Sequence, residues 1–246
     1  MKTTYTQAEL DDILQHVVPR LGWDFSHMNT VRDPVPWDYV EEVKKYLESD
    51  DDVLDIGTGG GERFITFAPY FRSGVGIDID KEMVMTAQQN AHGIANVTFM
   101  VLDEKLAGLN RRFNIIINRH APFDLVAVRG HLLPKAYFIT QQVGERNMRN
   151  IKEVLGKPVG GPVITKAMVV TNGLHCVDFR EYDVEYVVED IESLVFWLNA
   201  LDMLHADLAG NEALKSADAL NRILANNVDE RGFVTNEHRY IAVAQL

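Results

Sequence analysis

The residues best placed to do chemistry stand at the end of a short apolar segment. Residues 55–62 read Asp-Ile-Gly-Thr-Gly-Gly-Gly-Glu, so an acid is followed by four glycines in five positions. Glycine is needed where the backbone takes a positive φ or where a ligand must approach it closely. At a turn from a strand into a helix, such a loop also points backbone N–H groups at a bound polar group. The segment therefore predicts a ligand-binding turn.

The spacing of the glycines separates two kinds of ligand. The dinucleotide fingerprint G-x-G-x-x-G requires a third glycine at position 62 when Gly57 and Gly59 are the first two. That position is Glu62. The sequence therefore argues against a nicotinamide dehydrogenase.

Polar residues also follow the next apolar segments along the chain. Asp78 lies 21 residues after Gly57, close to the ~20-residue spacing at which an acid reaches ribose hydroxyls in nucleotide-binding α/β units. Asp80 is an alternative, but its place before Lys81 favours a helix cap. Asp103 and Asn118 likewise stand at the ends of the third and fourth apolar segments.

The elements that carry these residues alternate between strand and helix, which is typical of a parallel, doubly wound α/β sheet. A capping box at Thr6 starts a helix whose apolar positions reach Leu21, where Pro19 and Gly22 end it, and a second helix covers 37–48. The predicted strands are 52–56, 74–78, 96–102, 113–118, 136–142, 175–188 and 233–245. Further helices are predicted over 64–71, after Asp80, and over 122–131, 145–155, 165–170, 190–203 and 211–226.

The loop 55–61, together with Val101-Leu102-Asp103-Glu104, resembles the cofactor motifs of class I S-adenosylmethionine (SAM)-dependent methyltransferases. Trp-Asp-Phe-Ser, Pro-Trp-Asp-Tyr, Asn-Arg-His and Ile-Thr-Gln-Gln-Val-Gly are similar to a bacterial group of this family whose acceptors are generally unassigned. The resemblance implies a Rossmann-like, mostly parallel seven-stranded sheet, with a helical N-terminal extension and a helical insertion before the last strand. It implies S-adenosyl-L-methionine as cofactor, bound by Asp55, Gly57, Thr58, Gly59, Gly61, Asp78, Ile79, Asp103, Glu104 and Asn118.

The end of the fourth strand is the candidate catalytic position. His120 is the candidate catalytic residue, either as a general base or as an orienting group near the transferred methyl; the alternative is a polar residue that only lines a turn. Arg119 either clamps an acceptor carboxylate or pairs with a surface acid. Adenine- and glutamine-methylating relatives carry an Asn/Asp-Pro-Pro-aromatic tetrad here, whereas Asn118 is followed by Arg119 and His120. Methylation of an amide or exocyclic amine by that route is therefore not expected.

Aromatic and amide side chains elsewhere are further candidates. Trp23, Trp37 and Tyr39 either form a lid over the sulfonium by cation–π attraction or, as we favour, anchor a helix on the sheet. Gln141 and Gln142 end the fifth strand and are candidates to face the cleft.

Composition narrows the possible partners. The chain has 24 basic and 36 acidic side chains and a net charge of −12, which repels phosphate backbones and makes nucleic acid an unlikely partner. No apolar stretch approaches the ~20 residues needed to cross a bilayer. Cys176 is the only cysteine and the N-terminus lacks a signal-peptide pattern, so a cytoplasmic protein is expected. None of the eight histidines has a metal-ligand spacing, so no metal is expected.

The sequence thus predicts a single methyltransferase domain over 1–246. It would comprise a helical extension (1–50), a SAM-binding core (51–143) and a substrate-side insertion (187–230), with segments 1–40 and 187–230 closing over the acceptor. The predicted function is methyl transfer to an O or N atom of a small molecule by in-line displacement. An RNA or protein methyltransferase and a non-catalytic SAM-binding protein are the alternatives, and the oligomeric state is left open.

Overall fold

A computed structural model describes residues 1–17, 25–157, 161, 163–204 and 216–246. The chain divides into two compact units. Unit 1 comprises Met1–Pro34, Glu145–Gly161 and Asp183–His238, and unit 2 comprises Val35–Gly144, Pro162–Tyr182 and Arg239–Leu246. The single-domain organisation stays a prediction.

The strands are β1 (Thr30–Arg32), β2 (Asp52–Ile56), β3 (Ser73–Asp78), β4 (Val97–Val101), β5 (Phe113–Arg119), β6 (Leu132–Val143), β7 (His175–Val188), β8 (Val228–Asp229) and β9 (Gly232–Gln245). The helices are α1 (Gln7–His16), α2 (Tyr39–Lys44), α3 (Glu62–Ile65), α4 (Lys81–Asn90), α5 (Leu125–His131), α6 (Arg149–Val154), α7 (Lys166–Thr171), α8 (Ile191–Ala200) and α9 (Ala217–Leu224), with a 3₁₀ turn at Ala68–Tyr70.

The strand order of unit 2 confirms the predicted fold class. Its strands lie in the order β9-β6-β5-β2-β3-β4. Strands β2 to β6 pair in parallel, and β9 pairs antiparallel with β6. Strand β7 lies beside β9, so the seven predicted strands are neighbours in one mostly parallel sheet. Within the described residues this sheet has nine strands, because it also contains β1 and β8, which were not predicted. The carboxyl ends of β2, β3, β4 and β5 therefore point the same way, and this is the edge where ligands bind in open α/β sheets.

Unit 1 contains the remaining short strands. In this unit β1 pairs with β7 and β8 with β9, both antiparallel. Helices α8 and α9 lie between β7 and β9 in the chain, where a helical insertion was predicted. Part of the helix predicted over 211–226 falls on residues outside the described ones. None of the helices in the described ranges is long and apolar enough to span a bilayer.

Apolar periodicity and helix caps explain most of these elements. In unit 2, Leu54, Ile116 and Phe138 are fully buried in one core cluster, as expected for strands covered on both faces. The carboxylates of Asp80 and Asp124 accept backbone N–H groups at the first turns of α4 and α5, which satisfies donors that have no partner within the helix.

Most of the predicted helices are shorter in the structure. The helix expected over 64–71 ends after α3, because Pro69 lacks an N–H group and forms a 3₁₀ turn instead. Its apolar residues Phe64, Phe67 and Phe71 are nevertheless buried. Helix α2 starts only after its cap, Asp38. Helix α1 ends at His16, and the predicted stop at Pro19 and Gly22 lies outside the described residues.

Candidate functional site

The turn after β2 is held in a left-handed conformation by its glycines. Gly57, Gly59 and Gly61 have φ values of 73°, 56° and 75°, which side chains with a Cβ adopt at a cost. The N–H groups of Gly57 and Thr58 both donate to the carbonyl of Ile77, at 2.9 Å. The turn therefore folds back over the end of β3.

The same turn lies against the segment that follows β5. A Cβ at Gly57 would stand 2.1 Å from the Cβ of Ala121, which is far inside van der Waals contact. Glycine is therefore required at 57 for both its φ and its lack of a side chain. This contact brings the residue after His120 next to the glycine turn.

Asp78 connects the ends of three strands. Its carboxylate accepts hydrogen bonds from the N–H groups of Gly59, at 2.8 Å, and Asp80, at 3.0 Å. Its carbonyl accepts the N–H of Leu102, at 3.0 Å. The predicted ribose acid therefore lies between the glycine turn after β2 and the segment after β4.

Asp55 is a buried carboxyl group at this edge. Only 8% of Asp55 is exposed to solvent. This burial raises the pKa of its carboxyl group from 3.8 to about 7. Thr58 and Arg63 favour the charged form and Asp78 disfavours it. A group that titrates near neutrality inside a strand-end cleft is the kind of perturbed acid that marks functional sites.

The hydroxyl of Thr58 is the unsatisfied polar group in the turn. Its Oγ1 is buried and makes no hydrogen bond of normal geometry within the described part of the chain, although it lies near enough to Asp55 to favour the carboxylate. Buried polar atoms are normally paired. An atom left over beside a glycine turn fits a ligand that would complete it.

The remaining predicted cofactor residues form the rim beyond β3 and β4. Ile79 is 72% exposed, and an exposed apolar side chain beside Asp78 is suited to cover a flat aromatic ring. Asp103 and Glu104 are half-buried. The carboxylate of Asp103 accepts the N–H of Lys105, at 3.1 Å.

Asn118 has a structural position that the sequence did not indicate. It is fully buried; its amide N–H donates to the carbonyl of Ile56, at 2.9 Å. Its amide oxygen accepts from Thr140, at 2.9 Å, and from Gln142, at 2.5 Å. This placement supports a role in joining β2, β5 and β6, and it does not support direct contact between the Asn118 side chain and a cofactor. The amide of Gln142 belongs to the same buried group.

His120 lies at the end of β5 with φ +57° and is exposed to solvent. Its pKa is lowered well below the ordinary value because surrounding protein desolvates the ring and because Arg119, Arg239 and Arg63 oppose a further positive charge. Desolvation is weaker for an exposed ring than for an interior one, and the three guanidinium groups act in the same direction. His120 is therefore a neutral imidazole at physiological pH.

Gln141 connects His120 with the N-terminal aromatic segment. The indole N–H of Trp37 donates to Gln141 Oε1, at 2.8 Å, and Gln141 Nε2 lies 3.2 Å from His120 Nε2. Tyr39 is buried and its hydroxyl donates to the carbonyl of Asn118, at 3.3 Å. Trp37 and Tyr39 thus anchor their segment on the sheet, as favoured above, and Trp23 lies outside the described residues.

Sequence reasoning did not identify Gln141 as a partner of Trp37, because 104 positions separate them. Arg63 and Arg239 were also missed as neighbours of His120. Arg63 lies two residues after Gly61, and this position was the one available signal. No cluster of three potential metal-binding side chains occurs within the described ranges.

Unit 2 also contains a recess whose lining begins close in sequence to His120. Its volume is about 370 Å³ and its first lining residue, Pro122, is two positions after His120. The other apolar lining residues are Phe123, Leu125, Val126, Val163 and Met168. A larger recess of about 530 Å³ lies in unit 1. The side-chain amides of Asn150 and Asn236 line this recess and already donate to the Val234 carbonyl and to the Asp183 carboxylate. Fewer of its polar groups are therefore free to bind a ligand.

Comparisons with known proteins place the glycine turn in a family. Residues 47–168 match the family described as "Methyltransferase domain". An uncharacterized methyltransferase, YcgJ of Bacillus subtilis, is 39% identical over 80 residues, which are 31% of this chain and 32% of that protein. A ribosomal protein L11 methyltransferase of Dictyoglomus turgidum is 32% identical over 79 residues, 32% of this chain and 26% of that protein. Each match thus spans a third or less of the relative's length.

The fold extends further than these sequence matches. The crystal structure of B. subtilis YcgJ superposes with a TM-score of 0.61 at 17% identity and covers 84% of this chain and 97% of that one. At this identity the likeness shows a shared fold. Residues 47–168 thus match the methyltransferase domain family, and the chain shares the fold of a methyltransferase of known structure.

Proposed function

We propose that the chain is a SAM-dependent methyltransferase that acts on an O or N atom of a small molecule. The observation that carries this proposal is the meeting of Asp55, the glycine turn and Asp78 at one edge of the sheet, through the Gly59–Asp78 hydrogen bond. Class I methyltransferases use SAM, and the unpaired Thr58 hydroxyl and the strictly glycine-shaped turn fit such a ligand.

The cofactor residues are proposed to act by position and charge. Asp78 has the carboxylate that can accept two ribose hydroxyls, Ile79 can cover the adenine ring, and Asp103 and Glu104 lie where the exocyclic amine would be recognised. Asp55 supplies a buried carboxyl group whose charged form a cationic ligand would favour. When bound, SAM supplies an electrophilic methyl group, and holding both reactants in line can contribute about 7–11 kcal/mol.

A small acceptor is supported by two properties of the chain. The net charge of −12 opposes binding of RNA. The recess that starts at Pro122 has a volume of about 370 Å³, which falls within the roughly 300–1,000 Å³ typical of small-molecule sites. Its lining is mostly apolar, so an acceptor with an apolar body is favoured.

The cofactor assignment is tested by calorimetry with S-adenosylhomocysteine on the wild type, Asp78→Ala and Asp80→Ala. Loss of the Asp78 carboxylate should weaken binding by about 1.5–3 kcal/mol, which is roughly 10- to 150-fold. Asp80→Ala is the matched control, because it removes the cap of α4 in the same segment, and it should leave affinity within about 3-fold. The reverse result would move the ribose contact to Asp80, and unchanged binding in both would refute the assignment.

Transfer itself is tested with methyl-labelled SAM and a cell extract separated into small-molecule, protein and RNA fractions. Label in the small-molecule fraction supports the proposal. Label in the protein or RNA fraction would replace the acceptor class, and tight binding without transfer would indicate a non-catalytic SAM-binding protein.

A further inference from the structure

Three side chains of unit 2 form a hydrogen-bonded chain whose direction is fixed at one end. The indole nitrogen of Trp37 can only donate, and its partner at 2.8 Å is therefore the oxygen of Gln141. Both residues are buried, at 6% and 5% exposure. The amide of Gln141 thus cannot rotate by 180° without placing two donors against each other.

This orientation determines the proton on the imidazole. The Gln141 nitrogen that faces His120 Nε2, at 3.2 Å, is an amide NH₂ and can only donate. His120 Nε2 must therefore accept, and a neutral ring then carries its proton on Nδ1. The Nδ1–H tautomer of His120 therefore follows from the Trp37 indole, which can only donate and which is linked to His120 through the amide of Gln141.

We propose that Trp37 and Gln141 hold His120 as the Nδ1–H tautomer, so that His120 donates a hydrogen bond to the methyl acceptor and does not remove its proton. The role in transfer rests on the proposed function, whereas the tautomer does not. Trp37 and Gln141 are positioning residues, and His120 is the residue that would touch the acceptor.

The backbone fixes the ring in the same place. The N–H of His120 donates to the carbonyl of Gln141, at 2.9 Å, and a φ of +57° turns the chain sharply after β5. Nδ1 forms no hydrogen bond with any residue in the described ranges. The donor is therefore available to a ligand.

The charges around the ring agree with a donor role. The charged groups that act on His120 are the guanidinium groups of Arg119, which precedes it on β5, Arg239 on β9 and Arg63 on α3. All three are positive, so a proton taken up by His120 would be opposed from each of these elements. A neutral N–H donor among cations suits an acceptor molecule that presents a carbonyl or carboxylate oxygen there.

The tautomer is tested by ¹⁵N NMR of the histidine ring in the full chain, assigned by comparison with His120→Asn. We expect a protonated Nδ1 and an unprotonated Nε2 in the wild type. Gln141→Glu replaces the amide donor by a carboxylate, which accepts a hydrogen bond. The variant should therefore carry the ring proton of His120 on Nε2 and have a His120 pKa raised by about 1–3 units. Trp37→Phe should leave a mixture of tautomers. Tyr39→Phe is the matched control, since it removes one neighbouring buried hydroxyl and should change neither result.

A wild-type ring protonated at Nε2 would overturn the proposal, and so would an unchanged tautomer in both Gln141→Glu and Trp37→Phe. The wild-type spectrum needs no variant to fold. For transfer, the labelled-SAM assay should show about a 10-fold loss in His120→Ala and recovery to within about 3-fold in His120→Asn, which keeps a donor near Nδ1. Losses of about 10²–10⁴-fold in both variants would indicate a base instead. Absence of transfer by the wild type would count against the proposed function and would leave the tautomer to be decided by NMR.

Discussion

At the scale of single residues, Asp55 shows how a residue of the candidate site can lower the free energy of unfolding of the protein. Its carboxyl group is buried in a sheet where the ionised form is poorly solvated, and its pKa is raised to about 7. An acid with a raised pKa in the folded state holds its proton more tightly than in the unfolded chain. Stability should therefore be lost as pH rises from about 4 to about 7. The roughly three pH units correspond to about 4 kcal/mol as an upper bound.

Asp55→Asn should remove this pH dependence. Asparagine has nearly the same shape and no charge to desolvate, so the variant should be more stable than the wild type above pH 7 and about equally stable near pH 4. Urea unfolding at a series of pH values measures the difference. Asp103→Asn, which makes the same charge change at the half-buried rim, is the control. A wild type that is as stable at pH 8 as at pH 4.5 would contradict the interpretation.

At the scale of elements, β5 joins the sheet interior to the candidate site. Asn118 crosslinks β2 and β6 from inside the sheet, and two residues later His120 reaches solvent. The sequence predicted the strand, because Ile115, Ile116 and Ile117 form an apolar run. It did not predict the direction of the Asn118 side chain, because the assignment to the cofactor used its place at the strand end and not its hydrogen-bond partners.

Asn118→Ala should therefore destabilise the protein. It removes three buried hydrogen bonds, those with the Ile56 carbonyl, the Thr140 hydroxyl and the Gln142 amide. At about 1 kcal/mol for each bond, we expect a loss of about 3 kcal/mol in urea unfolding. Asn114→Ala is the matched control on the same strand; its amide accepts one hydrogen bond, from the N–H of Asp52, and about 1 kcal/mol should be lost. Equal losses of stability in both variants would show that the hydrogen bonds of Asn118 contribute no more than the single hydrogen bond of Asn114.

Features of the elements that depend on neighbouring residues could be predicted from the sequence, whereas contacts between distant segments could not. Strand limits and the caps Thr6 and Asp80 follow from local patterns and were close to the structure. The bond between Trp37 and Gln141 depends on packing between distant segments, so no local pattern indicated it. The break after α3 was readable from Pro69, but the buried phenylalanines on either side suggested one continuous helix.

At the scale of the whole molecule, charge and fold give different kinds of information. The predicted methyltransferase fold is confirmed by the match of residues 47–168 to the methyltransferase domain family and by the shared fold. Fold alone does not decide an acceptor. The net charge of −12 is a property of the entire surface and bears on which large partners can approach.

The charge predicts weak interaction with nucleic acid. Fluorescence anisotropy with a labelled single-stranded RNA at low salt, with and without S-adenosylhomocysteine, should show no saturable binding at micromolar protein. Binding that falls steeply with added salt would indicate phosphate contacts and would favour the RNA methyltransferase alternative.

The recess beside Pro122 has a practical consequence for altering what the protein accepts. Val126 is 71%, Val163 47% and Met168 38% exposed, so these side chains contribute little to the buried core. Exchanging them in combinatorial libraries should reshape the cavity at a small cost in folding, usually within about 0.5 kcal/mol per surface position. Because we propose that this recess receives the acceptor, variation at these three positions is the route to new acceptors that our proposal offers.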